Sequence, residues 1–114
     1  MEPVTVAKQI EKLIMAIALE GKKSKDLILA KAESAVALDK AVAIHTATKK
    51  MEGTPATLIK AMQGNDEDYN IALLAKIVAE ESLKAHWERL KYLQAQLNGY
   101  QSINRFLDKT QGAK

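Results

Sequence analysis

Apolar residues recur at helical spacing from near the start of this chain. Val6, Ile10, Leu13, Ile14 and Ile17 follow one another at intervals of four, three, one and three, which puts them on one helical face. The pattern predicts a first helix over residues 4–20, with Gly21 as its stop and Ser24 as the next N-cap. A kink at Gly21 in place of a true break fits the same pattern. A second helix is expected over residues 25–51. It is rich in alanine, and Leu27, Ser34, Ala35, Leu38, Ala41, Val42 and Thr48 give it a narrow face of mostly small side chains. A neighbouring helix can approach such a face closely. Lys49 and Lys50 complement the negative end of its dipole before Glu52 and Gly53 end it.

The middle of the chain is dense in helix punctuation. Thr54 is a good N-cap, Pro55 suits a first helical position and Gly64 is a good stop, so a short helix is expected over residues 55–63. Leu58, Ile59 and Met62 are its apolar contacts. Asn65 is then placed to cap a last helix over residues 66–108, whose first turn holds Asp66, Glu67 and Asp68, as the dipole prefers. The second half of that helix carries a heptad. Leu83, Leu90, Leu97 and Asn104 stand seven apart, with Leu93, Tyr100 and Leu107 offset by three. Gly99 lies within it at a cost of about 1 kcal/mol relative to alanine, and a break at Asn98–Gly99 stays open.

At 1.5 Å per residue these helices measure roughly 25, 40 and 63 Å for the first, second and last. Laid end to end, the first two match the last. The expected fold is therefore all-α: a long antiparallel helical hairpin with a short helix at its turn and an additional N-terminal helix. It forms a single helical domain over residues 1–114. A bare hairpin of about 60 Å leaves apolar faces on both arms. Self-association as a dimer or higher oligomer, in a coiled coil or bundle, should cover them. Leu83, Leu90, Leu93, Leu97 and Leu107 are the candidate core or oligomer face.

Composition narrows the chemistry more than it adds to it. There is no cysteine, so disulfides and thiolate metal sites are excluded. Met1-Glu2-Pro3-Val4 lacks the basic start and apolar run of a signal peptide, and no stretch approaches the ~20 apolar residues of a membrane span. A cytoplasmic protein with no membrane contact is expected. The net charge of +3, from 17 basic and 14 acidic residues, is interspersed rather than clustered. A basic bias does run through Lys84, Arg89, Lys91, Arg105, Lys109 and Lys114, against only Glu88 and Asp108.

Two histidines, His45 and His86, stand too far apart in sequence to form a metal motif. His86 falls on the inner heptad stripe, which suits a partly buried structural role. The acidic run from Asp66 fails as a calcium loop, because Ile71 and Ile77 occupy the positions that need glycine and glutamate. Glu81 and Glu88 share a helical face with Lys84 between them, the pattern of surface ion pairing. Serine, threonine and histidine show no spacing that suggests a triad. No catalytic residue, no metal site and no cofactor are expected, and the chain is not expected to be an enzyme. Trp87 and Tyr92, amid Lys84, Arg89 and Lys91, combine aromatic and basic groups in the manner of single-strand binders and of protein hot spots. The plainer reading of Trp87 is an anchor of the helix interface. With Tyr100 and Arg105, the residues Lys84, Trp87, Arg89 and Lys91 make the candidate interaction surface.

One resemblance bears on origin. The segment Gly53-Thr54-Pro55-Ala56-Thr57-Leu58-Ile59-Lys60 is followed by Gly64 and by a long helix ending in Gln101-Ser102-Ile103-Asn104-Arg105. With Lys31-Ala32-Glu33 and Leu38-Asp39-Lys40-Ala41 before it, this resembles small helical proteins encoded by phages and prophages of Gram-positive bacteria. The likeness covers about residues 25–107. It implies two helices joined by a turn and an origin among early phage genes near recombination functions, and it identifies no site.

Three functions follow as expectations. The first is a non-catalytic, self-associating phage accessory protein that binds a host or recombination protein. The alternative is a nucleic-acid-binding accessory of phage recombination or replication. A second alternative is an oligomeric sponge, holding an anionic small molecule or signalling nucleotide where subunits meet.

Overall fold

The computed structural model describes residues 2–112. Lys114, counted above in the basic stretch, lies outside the described residues, as do Met1 and Ala113. Among the described residues there is no strand. The elements are α1 (Pro3–Gly21), α2 (Ser24–Met51), α3 (Ala56–Ile59), a 3-10 turn at Gln63–Asn65, and α4 (Glu67–Gly112). The protein is thus all-helical, and no described helix is long and apolar enough to cross a membrane.

After Gly21 the chain turns, with the Lys22 amide bonded to the Ala18 carbonyl at 3.2 Å and the Lys23 amide to the Glu20 carbonyl at 3.1 Å. Through Gly99, α4 continues unbroken. Leu97 before Gly99 packs with Leu13 of α1 and Tyr100 after it lies against the same leucine cluster, and that packing outweighs the propensity cost of about 1 kcal/mol.

The link from α2 to α4 is tighter than the sequence pattern suggests. Gly53 takes φ +80°, the Thr54 amide bonds the Lys49 carbonyl at 3.0 Å, and the Gly53 amide bonds the Lys50 carbonyl at 3.1 Å. This pair of reverse bonds is a Schellman stop, which needs a left-handed residue at that position. The expected helix over 55–63 is shorter, a single turn at Ala56–Ile59 followed by a bend and the 3-10 turn. The cap of α4 is Asp66, not Asn65. Asn65 belongs to the 3-10 turn, while Asp66 has extended backbone and accepts the Tyr69 amide through Oδ1 at 3.1 Å.

The residues pack into two compact units, Met1–Ser24 with Lys84–Lys114, and Lys25–Leu83. Each is described by itself. In the first, Leu13, Leu93 and Leu97 form the core, with Ile10, Ala16, Ile17 and Tyr100 against it, and Val6 is fully buried. Leu13 packs with Leu93 and Leu97 while Glu20, further along α1, reaches back to His86, so the two helices run in opposite directions. In the second unit, α2 turns Ser34 and His45 inward, with Leu27, Leu38, Ala41 and Val42 half-buried beside them. Thr48, expected on this face, is exposed, and His45 takes the inward position one turn earlier. Ile59 and Leu83 are the buried apolar residues there.

Candidate functional site

Both histidines are 3 % exposed, and each is held by a carboxylate from a different element. His45 sits near the end of α2, where Nε2 lies 2.9 Å from the Ile59 carbonyl and Nδ1 lies 3.1 Å from Asp66 Oδ2. A carbonyl and a carboxylate can only accept, so a ring carrying both protons satisfies both contacts and a neutral ring satisfies one. The residue thereby ties α2 to the start of α4 and to the segment between them. Asp66 serves both structures: one oxygen caps α4 and the other takes the imidazole. Its carboxyl titrates below the usual aspartate range, chiefly because the Tyr69 amide donates to it, with burial opposing and His45 adding to the effect.

In the other unit the corresponding group is larger. His86 Nδ1 lies 3.0 Å from Glu20 Oε1, and Ser24 Oγ lies 2.7 Å from His86 Nε2. Arg89 Nε and Lys23 Nζ both donate to Glu20 Oε2 at 3.2 Å. Glu20 is buried, and its carboxyl is held below the usual glutamate range, first by the His86 hydrogen bond, against burial, and then by Lys23 and Arg89. The tilted indole of Trp87 lies beside the imidazole, with ring centroids 5.0 Å apart.

Serine, histidine and glutamate joined in this order have the connectivity of a hydrolase relay, which spacing alone did not suggest. Such a relay needs the Nε2 edge open to a leaving group. Here the imidazole is enclosed, and the far oxygen of the carboxylate is occupied by two cations. The geometry is that of a polar latch between α1, the start of α2 and α4. Among the described residues, no three His, Cys, Asp or Glu side chains converge as a metal site would require.

Because both carboxyls titrate lower in the folded chain than in the unfolded one, their contribution is complete above the ordinary carboxylate range near pH 4. It is lost as pH falls through the depressed folded values. Helical circular dichroism should therefore show a stability loss that sets in below about pH 4. Asp66→Asn should be less stable at neutral pH and show a shallower acid limb. An unchanged acid limb in that variant would remove Asp66 from the account.

The expected interaction surface does not assemble as one patch. Lys84, Trp87 and Lys91 are exposed and, three and four residues apart, share a face of α4. Arg89 is committed to Glu20, Tyr100 is packed against the leucine core, and Arg105 bonds back to the Gln101 carbonyl at 3.4 Å. Trp87, read as an interface anchor, is instead exposed, because His86 takes the inward position beside it. On the candidate core face, Leu83, Leu93 and Leu97 are buried and Leu90 and Leu107 are half-buried.

The second unit leaves a broad apolar surface uncovered. Ile28, Leu29, Val36 and Ile44 of α2, and Ile71, Leu74, Ile77 and Val78 of α4, are all exposed. Between the two helices an open apolar groove of about 530 Å³ runs over Ala30, Ser34 and Ala37 on one side and Ala75, Ala79 and Ser82 on the other. Small side chains set helices close yet leave such furrows unfilled. Compared with known protein families, curated proteins and solved structures, the chain matches none.

Proposed function

We propose that this protein is a non-catalytic helical accessory protein that self-associates through the apolar flanks of its second unit and works by binding another macromolecule. The observation that supports the reading is α2 itself, which is apolar on two opposite faces. Leu27, Leu38, Ala41 and Val42 are half-buried on the inward side, while Leu29 and Val36 on the opposite side are 50 and 52 % exposed, with Ile44 on the flank at 65 %. A surface helix of a self-sufficient domain carries one apolar stripe, and a second stripe calls for a second partner. The likeness to small phage proteins in the loop from Gly53 and the helices around it suggests a phage accessory role, with a host or recombination protein as target.

Native mass spectrometry of the protein purified gently from its own host tests this. The expected result is a multiple of 12.5 kDa, with or without a defined protein mass attached. A monomer at every concentration would refute self-association. Heterogeneous heavy mass, with affinity falling by about 0.9 log unit per log unit of salt for each phosphate contacted, would replace this reading with nucleic-acid binding. A few hundred extra daltons per oligomer would replace it with small-ligand storage.

A further inference from the structure

The geometry points to the outward face of α2 as a two-fold, antiparallel interface with α2 of a second copy, centred between Val36 and Ala37. This inference rests on the self-association reading and specifies its surface. Leu29, Ala32, Val36 and Ala43 form an exposed strip along α2, opposite the side that packs within the unit. Near its middle lies a shallow trough floored by Ala32, Val36 and Ala37 and bordered by Glu33 and Lys40. Those two charges stand on the same flank of the strip, seven residues and about 10 Å apart along the axis. Among the described residues neither takes part in an ion pair.

The positions of the charges fit a second copy of this chain as the occupant, running antiparallel. In a two-fold antiparallel contact each flank meets the same flank of the copy, and residues equally far from the axis on either side come opposite one another. With the axis between Val36 and Ala37, Glu33 faces the copy's Lys40 and Lys40 faces the copy's Glu33. The same operation sets Leu29 against the copy's Ile44, and the reverse. Asp39, on the other flank, meets Ala32 and Ala35 of the copy and no like charge. A parallel two-fold pairing would instead bring opposite flanks together, setting Lys40 beside the copy's Asp39 and leaving Glu33 among alanines, so a charge change at Glu33 weakens the antiparallel pairing alone. The small floor lets the two helices approach closely, and the charge pairs fix register.

Sedimentation equilibrium of the full chain at low ionic strength tests this, with circular dichroism checking that helix content is kept. Glu33→Lys and Lys40→Glu should each weaken self-association by on the order of tenfold, since each change turns two attractive contacts into repulsive ones. The double variant E33K/K40E should return to within about threefold of the parent, because it restores opposite charges at both places. A mixture of the two single variants should form heterodimers more tightly than either variant pairs with itself. Single variants that associate like the parent, or a double variant and mixture without rescue, would overturn this interface while leaving self-association standing. A parent chain that stays monomeric would overturn both.

Discussion

His86→Leu should lower the stability of the chain by on the order of 2–4 kcal/mol. The replacement matches the size of the imidazole closely enough that a cavity is not the issue. What is lost is the donor to Glu20 Oε1 at 3.0 Å and the partner of Ser24 Oγ at 2.7 Å, both facing an apolar side chain in a buried position. Lys23 and Arg89 still hold the other carboxylate oxygen, which keeps the loss below that of a fully stranded buried charge. Thermal unfolding should show a fall of roughly 4–8 °C per kcal/mol for a chain of this size. The informative comparison is the double variant Glu20→Leu with His86→Leu. Replacing both partners of a buried hydrogen-bonded pair by apolar residues is often nearly neutral or stabilising, so the double variant should recover most of what the single one loses. If it is no better than His86→Leu alone, the latch does not behave as a coupled pair.

That latch was partly legible in the sequence. Val6, Ile10, Leu13 and Ile17 alternate steps of four and three, and the next step of three lands on Glu20. In α4, Leu83, Leu90 and Leu97 interleave with His86, Leu93 and Tyr100 in the same alternation. A carboxylate and an imidazole each sat at an apolar position of its own stripe, and two such misfits in antiparallel helices are natural partners. Periodicity placed them on inner faces. It could not supply the offset that brings residue 20 opposite residue 86, because that depends on where the chain turns. The Ser24 contact was hidden for a different reason. A serine after a glycine reads as an N-cap, and its hydroxyl is diverted to His86 only once α4 is in place. Similarly, acidic capping of α4 followed from composition, while the double use of Asp66 required the 3-10 turn that puts it within reach of His45. Helix existence and order were thus readable from local pattern, and the histidine bridges were not, since each joins residues 14 or more apart.

Leu93→Ala should be the most damaging single truncation of an apolar residue, costing about 2–5 kcal/mol. The first unit has a thin core in which Leu13, Leu93 and Leu97 are its buried leucines, with Tyr100 and the α1 residues Ile10, Ala16 and Ile17 only partly covered. Leu93 is the most enclosed of the three, and a cavity beneath it has few large neighbours able to relax inward. Total stabilities of about 0.05–0.15 kcal/mol per residue are usual, so one such cavity removes a large share of what holds a chain of 114 residues. Urea unfolding followed by circular dichroism measures it, with Val36→Ala as the control. Val36 has the same apolar character and helical setting but lies exposed on the outer face of α2. Its truncation should alter folding stability by under about 0.5 kcal/mol in dilute protein, as surface changes usually do, and should weaken self-association instead. Equal losses from the two truncations in the monomeric regime would contradict the assignment of one leucine to the core and one valine to an outward surface. A loss at Val36 that grows with protein concentration would show that surface occupied in the assembled protein.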